Sequence, residues 1–469
     1  MTERSTPDGR TAVVLGGSHT GMLAARALAP FAGRVVVVER DDLPDGPVPR
    51  KGLPQARHAH MLWSGGARAL EELLPGVTGR LCAAGAHRMP VTTGIVALSA
   101  HGWFRRWPES HHMLLAGRDL LDATVRADVL ARGRTELLCG TEATGLTGTA
   151  HAVTGVRVRA RDGGGERVLT ADLVVDATGR GSTASAWLQD LGLPAPERRE
   201  VDSGLAYASR LFLAPEAART GFPVVNVLAD PQAGGPGRAG FLLPIEDGRW
   251  IVTLSGTRGG TPSPHPADFA RYAREELRHP LIADLIERAE PLTGVSFSRS
   301  TANRRHFYER MPRWPDNLTV LGDALAAFNP AYGHGLTAAA QSALVLRDTV
   351  RRHGWGTPGL ARRIQRAVAR PVGAAWDLAV SQDVFYPGAS AAGPTLRERL
   401  VAAYVGRLMH TATGNGRIAR RVTDVTSLER GGEVLLAPSV ALAAAVGPLR
   451  PALEGPPLTA RERRAVGLP

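Results

Sequence analysis

The chain has 469 residues, enough for two or three domains with sizeable cores, and its 43% hydrophobic content is ordinary for a globular protein. Net charge is +12, from 56 basic residues, of which only Lys51 is a lysine, and 44 acidic ones. The arginines are scattered and aromatics make up only 5%. That argues against nucleic acid and leaves an anionic substrate, a carrier protein or another acidic partner for the charge. Cys82 and Cys139 form no C-x-x-C, which speaks against a disulfide framework or thiolate metal site and fits a reducing cytoplasm. The first ten residues carry no apolar core of a secretory signal, and no apolar run is long enough to span a membrane. The nearest candidate, 434–449, is broken by Pro438 and Pro448. It reads as a packed helix, with a surface membrane anchor as the alternative.

Residues 11–40 read as a strand, a glycine turn, a helix and a second strand. Ala12 to Leu15 is a short apolar run suited to a strand buried on both faces. Gly16 and Gly17 make the tight exit, and a helix starts near Ser18 with Gly21 in its first turn. Its free N–H groups and partial positive charge suit a pyrophosphate. Val35 to Val38 is the next parallel strand, ending at Glu39 and Arg40. Glu39 lies 23 residues beyond Gly16, the usual distance for a carboxylate on the adenosine ribose hydroxyls. Ser18 stands where the Gly-x-Gly-x-x-Gly fingerprint has its second glycine.

A Pro-rich loop, 41–49, is followed by Arg50-Lys-Gly-Leu-Pro-Gln-Ala-Arg-His-Ala-His60, which concentrates cations and imidazoles near the nucleotide turn. It is expected at the cofactor edge and substrate mouth. His58 and His60 are two residues apart, the wrong spacing for chelation from one helix face, so no metal site is expected. Alternation over 87–108 predicts antiparallel strands. Gly117-Arg118-Asp119 opens a helix to about Leu130, and Arg118 at its start is placed to reach a phosphate or ribityl oxygen. Residues 153–158 and 167–169 make a hairpin. A buried strand then ends in Asp176-Ala-Thr-Gly179, a second nucleotide-side turn.

From 199 to 257 the chain is β-rich and carries no nucleotide motif, so it reads as a substrate-covering region with an apolar slot over 205–255. Two helices follow, at 266–277 and 280–289. The third cofactor stretch runs Leu318-Thr-Val-Leu-Gly322-Asp323, then a Pro/Gly-rich loop through Pro330, Gly333 and Gly335, then a helix from Leu336 to Arg352. Asp323 is placed to hydrogen-bond a polyol. The backbone from Gly333 to Leu336 forms a helix N-terminus suited to the pyrimidine end of a flavin.

These three stretches together resemble the FAD-dependent monooxygenases built like aromatic hydroxylases. The resemblance assigns Gly16, Gly17, Ser18, Gly21, Glu39 and Arg40 to the adenosine-diphosphate end, Asp176 and Gly179 to the second motif, Arg118 to the arginine that reaches FAD from a helix start, and Gly322, Asp323, Pro330, Gly335 and Leu336 to the ribityl chain and flavin ring. A closer resemblance rests on Arg50-Lys-Gly-Leu-Pro-Gln-Ala-Arg-His-Ala-His-Met-Leu-Trp-Ser-Gly-Gly-Ala-Arg68, Val201-Asp-Ser-Gly-Leu-Ala-Tyr207, Pro244-Ile-Glu-Asp-Gly-Arg-Trp-Ile-Val-Thr253 and Phe328-Asn-Pro-Ala-Tyr-Gly-His-Gly335. These are similar to the bacterial flavin epoxidases of polyether-ionophore pathways.

The implied fold is α/β (α+β overall): a Rossmann-like FAD-binding domain with an inserted antiparallel β-rich substrate domain and C-terminal helices. The implied divisions are 1–85, 117–185 and 301–355 for FAD, 86–116 and 186–300 for substrate, and 356–469 for the helical region. The implied activity is epoxidation of a linear polyene polyketide through a flavin C4a-hydroperoxide. Electrons come from NAD(P)H, directly or through a flavin reductase, and the oxygen comes from O2. No acid–base pair is required; the loop with Pro330, Gly333 and Gly335 shapes the flavin face. An aromatic hydroxylase is the alternative. A flavin halogenase is disfavoured because Trp103-Phe-Arg-Arg-Trp107 does not fit Trp-x-Trp-x-Ile. A prenyl-chain reductase or a non-catalytic FAD-binding partner would share the scaffold without oxygenating a substrate.

Overall fold

Thr11–Leu15 becomes the middle strand of a five-stranded parallel sheet, because its side chains are buried by layers on both faces. The structure, a computed structural model, describes residues 9–469; Met1 to Asp8, read above as lacking an apolar leader, lie outside them. The strand order is Leu318–Val320, Leu173–Asp176, Thr11–Leu15, Arg34–Val38, Thr135–Leu138. Helix His19–Leu28 packs against helices Arg118–Ala131 and Gly335–His353. The meander Thr141–Gly148, Val153–Ala160, Glu166–Thr170 contributes Val156 and Val158 to the same core.

The substrate-side region is built on an eight-stranded sheet whose long hairpin is Arg238–Ile245 with Arg249–Gly256. Asp247 and Gly248 close it at φ 61° and 65°, the left-handed pair that suits the twist of a tight hairpin. Ala206–Leu213 extends the sheet antiparallel on one side. On the other, Val224–Val227 pairs with Ile95–Ser99 in parallel, a departure from the antiparallel expectation. Those two strands come from distant parts of the chain, so no hairpin constrains their direction.

The sheet has two unlike faces. Phe212, Val252 and Leu254 pack under helices Pro266–Glu275 and Leu281–Ile286. Phe241, Leu243 and Ile251 pack with Met61, Met89 and Met113, from a small sheet of Met61–Trp63, His87–Val91 and His111–Leu115.

Helices Gly335–His353 and Leu360–Asp383 close the parallel-sheet core. Helices Leu396–Gly414, Gly416–Thr426 and Pro438–Val446 form a separate cluster. The chain end then returns to the β-rich sheet, where Leu458 and Val466 join its core and Arg106 pairs with Glu462 at 2.6 Å. The packed helix expected over 434–449 is shorter and barely packed. It spans Pro438–Val446 and buries only Val440 and Ala444. Proline can open a helix but not continue one, which accounts for the late start. No helix of the described residues is long and apolar enough to cross a membrane.

Candidate cofactor and substrate site

The strand order brings Gly322-Asp323, Asp176 to Gly179, Gly16-Gly17 and Glu39 side by side at the carboxyl ends of four neighbouring strands. Three inter-strand spacings separate the outer two, about 14 Å. This is the crevice in which open α/β sheets hold ligands.

The glycine turn is fixed by close packing. Gly16 has φ +96°, and a Cβ there would sit 2.6 Å from Ala177 O; a Cβ on Gly21 would sit 1.7 Å from Gly16 O. Helix His19–Leu28 begins after an extended Ser18, with no side-chain cap and no acid in its first turn, so its leading N–H groups suit an anion. Gly17 N donates to Glu39 Oε2 at 2.6 Å and Asp41 N to Glu39 Oε1 at 3.0 Å. Arg50, buried and 3.5 Å from Glu39 Oε2, also meets Ser18 Oγ. Ser18, the departure from the fingerprint, is thereby tied to the basic loop. Arg40 is exposed, 3.6 Å from Asp41, and is not brought to the turn.

Asp176 is fully buried and faces inward. Its carboxylate accepts from Thr178 N at 2.9 Å, Thr178 Oγ1 at 2.6 Å and Ser182 Oγ at 2.5 Å. The expectation of a direct cofactor contact is corrected: Asp176 organises the turn that presents Gly179, whose φ is +79° and whose Cβ position is open space. Arg180 links this turn to the third stretch. It donates to Ala302 O at 3.0 Å and Phe328 O at 2.6 Å and lies 3.7 Å from Asp323 Oδ2. Asp323 stands at the strand end with 42% of its side-chain surface accessible. Burial raises its pKa against the pull of Arg180, Arg118 and Arg304.

Pro330 opens a single 3-10 turn, Pro330–Tyr332, capped by Asn329 Oδ1 accepting from Ala331 N at 3.0 Å. Gly333 turns left-handed at φ +66°, against Met61. Gly335 and Leu336 then begin the long helix with no side-chain cap and no acid, and nothing stands before the Cβ position of Gly335. The loop is anchored from behind by Asp383, which is 1% exposed. Asp383 accepts from Asn303 Nδ2, Asn329 Nδ2 and Tyr332 OH, each at 2.7 Å. Sequence reasoning missed Asp383, Asn303 and Asn329; Asp383 lies 80 residues from Asn303 and 54 from Asn329, and no local pattern joins them. Asp383→Ala leaves two buried amides and the part-buried Tyr332 hydroxyl without their acceptor, a loss of about 3 kcal/mol. Urea denaturation of the apoprotein measures it, and an unchanged midpoint would disprove the anchor.

Arg118 at the helix start is buried rather than a surface side chain, and its Nε donates to Asp122 Oδ1 at 2.8 Å. Burial alone would raise the Asp122 carboxyl; the charge and hydrogen bond of Arg118 outweigh it and hold the carboxyl below its ordinary value. Beside them His19 is 2% exposed with neither ring nitrogen hydrogen-bonded. Burial, then the Arg118 charge, lowers His19 and His60 to about 4, burial lowers His334 to about 4, and burial with the His60 charge lowers His58 to about 3. As pH falls from 6.5 toward 4, the unfolded chain takes up protons that the folded chain refuses. Each such imidazole therefore removes up to about 1.4 kcal/mol of stability per pH unit in that window, and stability recovers toward neutrality. Urea midpoints of wild type and His19→Phe across this range test the sign; the variant should show a shallower slope.

Segment 58–63 bridges the 330–335 loop and the β-rich sheet. Trp63 Nε1 reaches Tyr332 O at 3.5 Å. His58 Nδ1 lies 2.8 Å from Ser209 Oγ, which lies 2.6 Å from Thr253 Oγ1, and the His58 ring meets Tyr207 edge-on at 4.1 Å. The face of the β-rich sheet expected to form an apolar slot instead mixes these neutral polar groups with Leu211, Phe241 and Ile251, and Phe241 and Ile251 are buried against Met61, Met89 and Met113.

The crevice, the bare helix ends and the open Gly179 and Gly335 positions fit a long dinucleotide with a second ring system, and the class is a dinucleotide-binding flavoprotein. The chain belongs to the FAD-dependent oxidoreductase family. Residues 12–187 match the family model described as FAD dependent oxidoreductase. The chain is 31% identical over 400 residues to Protein Rv3254 of Mycobacterium tuberculosis, covering 81% of each. It is 28% identical over 361 residues to kynurenine 3-monooxygenase of Salinispora arenicola, covering 73% of this chain and 72% of that one. Similar solved folds include the flavin-dependent brominase Bmp2 (TM-score 0.65, 14% identity, 93% of this chain and 97% of that one) and PqsL of Pseudomonas aeruginosa (TM-score 0.59, 19% identity, 80% and 96%).

Proposed function

We propose that the protein is an FAD-dependent monooxygenase that epoxidises carbon–carbon double bonds of a linear polyene polyketide in polyether antibiotic biosynthesis. The observation that carries this reading is the sheet face packed against segment 58–63, where Phe241 and Ile251, buried with Met61 and Met113 and flanked by Leu211, are joined by neutral groups: Tyr207, Ser209, Thr253 and an imidazole, His58, held uncharged by burial. An electron-rich alkene needs position and dryness more than a proton donor. Bound FAD, reduced by NAD(P)H directly or through a flavin reductase, supplies the activation of O2.

The chain supplies the rest. Gly16 to Gly21 and the following helix hold the pyrophosphate, Glu39 the adenosine ribose, and Arg118 an oxygen between the two ends. Gly179, Gly322 and Asp323 hold the polyol. The N–H groups of Gly335 and Leu336 hold the pyrimidine end, and Pro330 to Gly335 shapes the oxygen-side face. Segment 58–63 keeps water from the alkene.

An aromatic hydroxylase acting on a phenolic or polycyclic intermediate is the second reading. The His58–Ser209–Thr253 chain favours it, since these groups can hold a phenolic proton. The kynurenine 3-monooxygenase likeness points the same way. The test incubates FAD-loaded protein with a reductase system, isotopically heavy O2, and either a trisubstituted acyclic alkene or a phenol panel. A heavy-labelled epoxide supports the first reading. Labelled hydroxylated phenol with untouched alkene replaces it with the second.

A further inference from the structure

Helix Pro438–Val446 contains no charged residue, and the fold covers only one of its sides. Val440 and Ala444 face the helical cluster, while Leu442 and Val446, one turn apart, point outward. With Leu436 just before and Leu449 just after the helix, these four side chains each keep between 65 and 70% of their accessible surface. The neighbouring helix Leu396–Gly414 exposes Leu396 and Leu400. One turn further on, its Tyr404 hydroxyl donates to Leu435 O at 2.6 Å, tying the two apolar segments together. The chain end does not cover them, because Leu458 and Val466 are packed in the β-rich core. Single exposed leucines need no explanation; five leucines and a valine on and beside two packed helices do.

The surroundings carry the opposite of acidic charge. Arg407 donates from Nε to Ala444 O at 2.6 Å and from Nη2 to Ala445 O at 2.9 Å, which puts its guanidinium at the outer helix end. Arg450 follows Leu449, and exposed Arg397 and Arg399 lie between Leu396 and Leu400. Residues 396–450 hold eight arginines and four carboxylates. One of those carboxylates, Asp424, is buried against His111 and Arg421.

We propose that this arginine-rimmed apolar surface docks on the headgroup layer of an anionic lipid bilayer. At nine residues, about 14 Å, the helix is too short to cross a hydrocarbon core of about 30 Å, so it lies in the interface. Aliphatic side chains with few directional hydrogen-bonding groups suit a fluid partner, and the arginines suit anionic headgroups. The inference stands independently of the reaction catalysed.

The test sediments the FAD-loaded protein with vesicles of phosphatidylcholine alone, and with vesicles of phosphatidylcholine mixed with phosphatidylglycerol. The bound-to-free ratio should be at least about tenfold higher on the anionic vesicles and collapse in about 0.5 M salt. The double variant L442E/V446E should lose binding while keeping the wild-type melting temperature and flavin absorbance. R397Q and R399Q should each weaken binding about fivefold, and they leave the apolar surface untouched in case the first variant misfolds. No sedimentation on anionic vesicles overturns the proposal. So does binding that is indifferent to both sets of variants. A wild-type dimer that L442E/V446E converts to monomer, with no vesicle binding, also overturns it and assigns the surface to a second copy of the chain.

Discussion

Gly21→Ala is expected to weaken FAD binding by about one to three orders of magnitude. A Cβ at this position lies 1.7 Å from Gly16 O, a backbone atom whose place is set in turn by the approach of Gly16 to Ala177 O. Neither side of the contact can yield alone. Helix His19–Leu28 must retreat from the turn, and its uncapped N–H groups retreat with it. Overpacking a well-packed contact costs about 1–3 kcal/mol in stability. Losing one or two charge-assisted hydrogen bonds to the pyrophosphate weakens FAD by about 10- to 1,000-fold. Fluorescence titration of apoprotein with FAD, alongside a thermal melt, separates the two losses. Full occupancy in the variant would mean that the pyrophosphate does not sit on this helix.

The second large effect is expected from Asp323→Ala. Asp323 keeps an open carboxylate in the crevice, held by its position at the end of strand Leu318–Val320 rather than by a tight ion pair; its nearest cation, Arg180, is 3.7 Å away. A carboxylate–hydroxyl hydrogen bond in a partly buried site is worth about 1.5–3 kcal/mol, so FAD affinity should fall about 10- to 100-fold. The fold should survive, because the side chain makes few contacts of its own. Asp323→Asn should recover part of the loss. A wild-type binding isotherm for Asp323→Ala would remove this residue from the cofactor site.

The pair of variants also separates two kinds of legibility. Gly21 is readable because its reason is local: strand, turn and helix follow one another within twenty residues, and only glycine allows so close an approach. The edge strand Thr135–Leu138 was not read, whereas four of the five parallel strands and the three nucleotide-side turns are of the same kind. Each rests on an apolar run followed by a residue of special backbone freedom. Asp176 was legible as a position but not as a role. Its type and place at a strand end suited a ligand contact, while its burial and three donors come from the turn it closes. The helix over 434–449 was legible as apolar, but its composition does not say which side is covered.

By itself, then, the sequence determined the strands, the turns and the order in which they follow. It therefore determined the presence of a dinucleotide crevice, since hydrophobic periodicity and glycine stereochemistry act over a few residues. Only the tertiary structure decided how distant side chains meet. It placed Asp383 behind the 330–335 loop with Asn303 and Asn329, Arg50 beside Ser18 and Glu39, and His58 against Ser209 and Thr253. Those contacts depend on how whole sheets and helices stack, and the free energy that fixes the stacking is the burial of non-local apolar surface, to which no single motif bears witness.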